Sequence, residues 1–503
     1  MRHATVSVDD AETSRAPAAP SRPLFAWCRD RAPLVAAMAF FLAMFWPFMR
    51  KGEQGEWRRC FLRAAGRLQA REILHWPDEV NTYAYPPAMA MLAVPLAKLP
   101  FRWSLAGWYV VNVAAMMAAI TCAWRLTGGP SFTGLRRPWS LVFWLGLLLA
   151  SRFLTAPLEN QQFDVVIAAC LLAGCLALAR GNDNLAALWL GVGAAMKCTP
   201  FLFVPYLVWR GKVRAAALMV LAAVTINCLP DLIWPRPNGG SYLGDWIGVF
   251  LLKAGRSAPG VWDSDLILNQ SLAGLINRLV QSGLPLSLSQ LPSALTELSP
   301  GTTLLIRALV YGLSAALLAV TFCAFGRPGK GALCRERTPC RSARAEPWSI
   351  GIRRNGTESV RNGTESVPYR VLPAQGIEAA ALFCLMLLLS PMSSKAHYVV
   401  LVLPCFLVAR AVVEGRLSGR AWLPPLLLLG PLTAKGVTGK PLGDLLLAWG
   451  LPTWFVLLLL AAVWRLSLDG CFTASVVRCI LRPCAWLRAA HDPRSGQGWR
   501  SFR

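Results

Sequence analysis

The residues able to do chemistry in this chain gather where its apolar runs stop. Glu53 and Glu56 open an arginine-rich segment, "ENQQFD" occupies 159–164, and Lys197 splits the apolar stretch "GVGAAMKCTP". Further on come "LILNQSLAGLINRL" at 266–279 and "SPMSSKAHY" at 390–398. A cation left in hydrocarbon costs about 2.5–3.5 kcal/mol on insertion scales. Lys197, Lys395 and His397 must therefore cap turns in water or serve a site. Carboxylates beside several cations at a membrane surface suit a substrate that carries a lipid-linked phosphate, whose oxygens accept charge-assisted hydrogen bonds from ammonium and guanidinium groups. If a sugar leaves such a phosphate, the leaving group is already ionised, and cations that stabilise its growing charge do the work. One carboxylate would take the proton from an acceptor hydroxyl. This chemistry calls for no metal and no cofactor.

Each residue also has an ordinary fate. Glu56 can pair with Arg59 or Arg63 one helical turn on; Lys197 can snorkel or satisfy carbonyls freed by Pro200. His397 can cap its turn and Lys395 can stand in solvent. Gln162, Asn269, Gln270 and Arg278 have the chemistry of helix-end hydrogen-bonders. Asp78 and Glu79 are reserve carboxylates, although acidic residues near a helix start commonly serve its dipole.

The elements that must position these residues read as membrane helices. The chain has 503 residues, 55% hydrophobic and 15% charged, against roughly 25% charged for a soluble domain. Runs at 32–49, 103–124, 139–157, 164–179, 215–234, 303–324, 376–390, 399–413, 421–434 and 445–464 are spans by length and polarity. Residues 86–99 form a shorter piece. The run around Lys197 is either two half-helices with the lysine at an outward apex or one span of 24 residues. Either choice gives about 12 crossings of an all-α polytopic protein.

Between 50 and 71, Trp57, Phe61, Ala65 and Leu68 share one helical stripe opposite Arg59, Arg63, Arg67 and Arg71, the pattern of an interfacial amphipathic helix.

The net charge of +25 does not point to nucleic acid, because the basic residues lie in connecting segments and the tail. Residues 325–374 hold ten Lys/Arg against four Asp/Glu, and 465–503 hold seven against two, which puts both in the cytoplasm; 236–301 carries four of each sign and suits the outer face. The division is a polar leader at 1–31, a core at 32–324 with outer loops 50–85 and 236–301, and an insert at 325–374. A second core part at 375–465 and a basic tail at 466–503 complete it. The insert contains the tandem "RNGTESVRNGTESV" and is too polar to pack a core. The fifteen cysteines show no paired spacing and read as small apolar residues.

From about 32 to 465, without the insert, the chain resembles the membrane glycosyltransferases of family 87. The likeness is carried by "YAYPPAMAMLAVPLAKLP", "QQFD" at 161–164, "GVGAAMKCTP", "NQSLAGLINRL" and "SPMSSKAHYVVLVLPCF", in that order. It implies a GT-C fold, a polyprenyl-phosphate sugar donor, a lipid or glycan acceptor, and a multi-pass location in the cell membrane among its lipids. The expected activity is inverting, metal-independent transfer of a hexose, mannose in the family's pattern, at the outer face. The family's catalytic aspartate in the first outer loop corresponds to Glu56, before Trp57. Lys197, Lys395, His397, Gln162, Asp164, Asn269, Gln270 and Arg278 are the implied substrate-binding set. Gln161 stands where the family has glycine, and Asp164 where it has asparagine. A lipid or solute transporter and a catalytically silent binder of lipid-linked sugar are the alternative readings.

Overall fold

The computed structural model describes residues 32–76, 83–132, 135, 137–252, 259, 267–284, 287, 298–326 and 372–471. The leader, the tandem repeat of the insert, the tail beyond 471 and the reserve carboxylates Asp78 and Glu79 lie outside the described residues.

Among the described residues all regular structure is helical. The order is α1 (Ala32–Lys51), a 3-10 turn (Gly52–Gln54), a π-helical stretch (Trp57–Leu62), α2 (Arg63–Gln69), α3 (Pro87–Ala97), α4 (Phe101–Leu126), α5 (Arg137–Asn160) and α6 (Asp164–Ala179). Next come α7 (Asp183–Met196), α8 (Phe203–Trp209), α9 (Val213–Ile233), α10 (Tyr242–Trp246), α11 (Leu272–Ser282), α12 (Pro300–Phe325) and α13 (Ala374–Leu389). The chain continues through α14 (Val402–Val413), α15 (Gly419–Leu429), α16 (Lys435–Ala448) and α17 (Leu451–Cys471).

Six helices among the described residues are long and apolar enough to cross a membrane: α4, α5, α9, α12, the run Lys395–Val413 that ends in α14, and α17. With the shorter apolar helices α3, α6, α13 and Thr199–Trp209, they make a multi-pass membrane protein. Burial ranks them. In the most apolar stretch of Lys395–Val413, 83% of residues are buried, against 17% in α12. The first is the centre of the bundle, and the second presents Leu304, Leu305, Leu309 and Leu313 outward, as a lipid-facing helix does. Helix α13 is also buried on nearly every side. The segment 390–398 therefore joins the two most central helices.

Two spans end where backbone chemistry demands it. Lys197 is extended (φ −158°, ψ 136°) and closes α7; Thr199–Leu202 then forms a 3-10 turn before α8. Lys212, just after α8, reaches Asp183 at the start of α7 with Nζ–Oδ1 at 2.5 Å. The chain has thus returned to the level from which α7 set out, and the segment is a pair of half-helices with Lys197 at the turn, not one 24-residue span. The run expected as a single helix over 445–464 is also broken, between α16 and α17. Gly450 has φ 72° there, and a Cβ on it would meet Leu275 Cδ1 at 2.5 Å, so the turn tolerates no side chain.

The stripe Trp57, Phe61, Ala65 and Leu68 is fully buried, but not along one regular α-helix. It passes from π to α geometry at Arg63 and packs against protein, with Trp57 stacked on Trp108 of α4 at 4.6 Å. Local widening of this kind re-aims side chains.

Helices α5 and α14 approach closely at Gly146, where an added Cβ would lie 2.1 Å from the Phe406 ring. Gly146→Val is expected to destabilise the folded protein by about 2 kcal/mol or more through overpacking, read as a lower melting temperature in detergent, whereas Gly312→Val, with nothing near its Cβ position, is expected to leave it unchanged.

Candidate functional site

Glu56 is held from both sides. The preceding Gly55 packs flat against Gln161, where a Cβ would meet the carboxamide at 1.8 Å. Gln161 is one of two non-glycine residues with positive φ among those described, at 59°. Such a residue needs compensation, and it has it. The Gln161 Nε2 donates to the Phe48 carbonyl at 2.8 Å, and Trp108 Nε1 donates to the Gln161 carbonyl at 2.9 Å. Trp57, on the other side of Glu56, donates from Nε1 to Ser104 Oγ at 3.0 Å. Between these anchors Gln162 Nε2 donates to Glu56 Oε1 at 2.6 Å.

Glu56 lies in the segment between α1 and the π-helical stretch. Burial pushes its carboxyl up from 4.5 to about 7; the Gln162 hydrogen bond opposes this, Asp164 reinforces it, and Lys51 and Lys197 oppose it. Lys51, at the end of α1, donates to Asn160 Oδ1 at 2.7 Å and brings a positive charge to the same rim.

Opposite stands a second group. Lys197 Nζ contacts Asp164 Oδ1 at 3.0 Å, and His397 Nε2 lies 3.7 Å from the same oxygen. Asp164 is buried and its Oδ2 has no hydrogen-bond partner. The backbone N–H of Ser394 donates to His397 Nδ1 at 3.1 Å, so that nitrogen carries a lone pair and neutral His397 keeps its proton on Nε2. This imidazole is a donor toward the Asp164 side. The break that frees Lys197 is supported by Asn227, whose amide donates to the Ala195 carbonyl at 3.0 Å.

The segment 390–398 is fixed by residues from the "NQS" stretch. Asn269 Nδ2 donates to the Pro391 carbonyl at 2.9 Å while its Oδ1 accepts from the Ser393 and Ser271 N–H groups, each at 3.1 Å. The Gln270 N–H donates to the Ser393 carbonyl at 2.6 Å, and the Gln270 side chain donates to the carbonyls of Ile267 and Leu447 at 2.6 and 2.9 Å. Arg278 donates to the Asn269 and Ala448 carbonyls at 2.5 and 3.1 Å. All three side chains are buried.

One cavity of about 960 Å³ is lined by Lys51, Glu56, Tyr85, Asn160, Gln162, Lys197, Lys395 and His397, near the upper end of the range for small-molecule sites. Phe201, Val224, Leu243, Trp246, Ile247 and Phe250 give it an apolar side. Of the nine residues singled out in the sequence, Glu56, Gln162, Lys197, Lys395 and His397 meet on this wall. Asp164 stands behind Lys197, and Asn269, Gln270 and Arg278 do not reach the wall: their bonds go to backbone carbonyls and N–H groups that shape it. Asn160 belongs to the "ENQQFD" cluster, whereas Lys51 and Tyr85 were passed over in the sequence. Lys51 follows the first apolar run and stands two residues before Glu53, which was the available signal; the "YAYPP" tyrosine looked like a helix start only.

The arrangement can hold an amphiphile with an anionic head against its cations while a carboxyl of near-neutral affinity for protons faces the same space. Lys197→Met is expected to destabilise the protein by about 3–5 kcal/mol, because it leaves Asp164 charged and unpaired in the interior. Adding Asp164→Asn to that variant should recover most of the loss, and a double-mutant cycle on melting temperatures reads the difference.

The model of glycosyltransferase family 87 matches residues 83–335. That range contains Gln162, Asp164, Lys197, Asn269, Gln270 and Arg278, and leaves out Glu56, Lys395 and His397. The chain is 29% identical, over 207 residues, to the polyprenol-phosphate-mannose-dependent alpha-(1-2)-phosphatidylinositol pentamannoside mannosyltransferase of Mycobacterium tuberculosis (strain CDC 1551 / Oshkosh), a stretch covering 41% of this chain and 44% of that protein. The chain thus spans less than half the length of the curated relative it matches. No solved structure matches it.

Proposed function

Because the chain belongs to glycosyltransferase family 87, we propose that it is a membrane mannosyltransferase of GT-C type that takes its sugar from polyprenyl-phosphate-mannose and passes it to a lipid or glycan acceptor at the outer face of the cytoplasmic membrane. The observation that carries this reading is the single cavity in which Glu56 and the Lys197, Lys395 and His397 side chains face common space. The named relative supports the donor.

In the reaction the acceptor oxygen attacks the anomeric carbon and the bond from that carbon to the phosphate oxygen breaks, so one displacement inverts the configuration. Glu56 takes the hydroxyl proton, and the polyprenyl phosphate leaves with the bonding pair. Gln162, at 2.6 Å from Glu56 Oε1, orients the base. Lys395 and the Nε2 proton of His397 meet the phosphate oxygens as their charge grows. Lys197 contributes through its pair with Asp164, which also faces His397.

The raised proton affinity of Glu56 fixes the sign of a pH dependence. A base must be ionised to act, so kcat/KM is expected to rise tenfold per pH unit below about 7 and level off above it. Glu56→Gln should lower transfer from polyprenyl-phosphate-mannose in membranes by about 10²–10⁴-fold and abolish that rise. The same substitution separates catalysis from folding. A carboxyl raised in the folded state gives stability that is lost as pH climbs through about 7. Glu56→Gln should therefore melt higher than wild type above that pH and equally below 4.5. Transfer unchanged by Glu56→Gln would remove Glu56 as the base; no transfer by wild type with any lipid-linked sugar would support the silent-binder alternative. In a background without other reactive thiols, Asn160→Cys is expected to react with an impermeant maleimide added outside; reaction only from the cytoplasm would reverse the proposed orientation.

A further inference from the structure

Helix α5 carries a single charge in the interior of its apolar run, Arg152. The residue is 6% exposed, and its two terminal nitrogens are buried with no hydrogen-bond partner. The other buried arginines among the described residues are answered by oxygen. Arg236 donates to the Gly240 carbonyl and the Asp245 carboxylate. Arg278 donates to two carbonyls, and Arg410 to the Thr127 carbonyl and the Glu414 carboxylate. A guanidinium stays charged and offers five donors in a fixed fork. Shut away from water without an acceptor, it is strongly unfavourable, so the fold reserves it for something that is not part of the chain.

Its neighbourhood says what that is. Helix α5 packs along Lys395–Leu401, with the Phe153 and Tyr398 rings 5.2 Å apart. Arg152 directly precedes Phe153 on this helix, which faces the segment that Lys395 opens. Lys395 lines the cavity and makes no ion pair among the described residues. Lys197 is neutralised by Asp164 and Lys435 by Asp444. Lys51 and Arg59 bring positive charge to the Glu56 side of the cavity; on the side of the Lys395 segment, the cations without an acidic partner among the described residues are Lys395 and, behind the lining, Arg152. Two like charges held together in a poorly hydrated place make an anion site.

We propose that Arg152 and Lys395 together bind the phosphate of the lipid-linked sugar, Lys395 from the cavity wall and Arg152 from behind it. This rests on the donor reading above and adds to it a residue and a location. The flexible stem of Lys395 turns aside to admit a phosphate oxygen to the guanidinium fork, which accepts it in the planar, two-pronged manner that suits phosphate. Lys197 is then a structural cation, and Arg152 and Lys395 add to the charge that Lys51 and Arg59 bring to the cavity.

The test uses the full-length protein in lipid nanodiscs, with melting temperature read alone and with polyprenyl phosphate, polyprenol or inorganic phosphate. Wild type is expected to be stabilised by polyprenyl phosphate and not by polyprenol. Arg152→Met should melt at least as high as wild type without ligand, since it removes an unanswered charge, and should lose the response to polyprenyl phosphate. Its KM for the donor should rise about tenfold or more, with a smaller fall in kcat, and Arg152→Lys should recover part of the affinity. A merely structural arginine would behave the opposite way: Arg152→Met would melt lower and keep both the response and the KM, which would overturn the proposal. Stabilisation of wild type by inorganic phosphate, lost in Arg152→Met, with none from polyprenyl phosphate, would overturn the lipid source. Wild type unresponsive to polyprenyl phosphate but stabilised by Arg152→Met would sink the donor reading itself, and this inference with it.

Discussion

Backbone that leaves a helix inside a membrane bundle must find hydrogen-bond partners in protein, because lipid offers none. The chain leaves its helices at Lys197 and over 390–394, where it lines the cavity, and at Trp449–Gly450 close by. Each break is paid in side-chain amides and guanidinium. Asn227 takes the Ala195 carbonyl, Asn269 and Gln270 take both polarities of the 391–393 backbone, and Arg278 takes the Ala448 carbonyl. These residues make the site without touching what fills it. Their burial follows directly, since a hydrogen bond that replaces water has to be made where water is excluded.

The same exclusion sets the electrostatics of the opposite wall. Glu56 sits among indole rings and amides, so its charged form is disfavoured although Lys51 and Lys197 lie within reach. Asp164 is more deeply buried yet directly paired with Lys197. Two neighbouring carboxyl groups are thereby given different states: Glu56, on the cavity wall, exchanges near neutral pH, and Asp164, behind Lys197, is held in an ion pair. That separation puts a carboxyl able to exchange a proton near neutral pH and a fixed counter-charge beside one cavity.

Much of this was legible from residue types. Apolar runs, their lengths and the Lys197–Pro200 interruption located the helices and one break, and the convergence of Glu56, Gln162, Lys197, Lys395 and His397 on a single wall matches the expectation drawn from polar clusters at apolar borders. Three things were not legible. Composition does not distinguish a polar side chain that lines a cavity from one that meets backbone, so Asn269, Gln270 and Arg278 read alike with Gln162. A lone glycine in "LLLAWGLPTW" does not announce a break, because its effect comes from Leu275 and Arg278 packing over it from another helix. Arg152 was hidden in a run that passed as a span, where a single arginine is easily absorbed into the average.

The fit between Gly55 and Gln161 has a consequence for how this wall can vary. The carboxamide of Gln161 fills the volume that any side chain at 55 would need, and the left-handed backbone at 161 is one that glycine adopts without cost. Positions 55 and 161 are therefore coupled: a side chain at 55 would push the Gln161 carboxamide from its place on the Phe48 carbonyl, while glycine at 161 would open room for one. A drift at either position changes which substitutions its partner can accept, and the carboxylate next door moves with them.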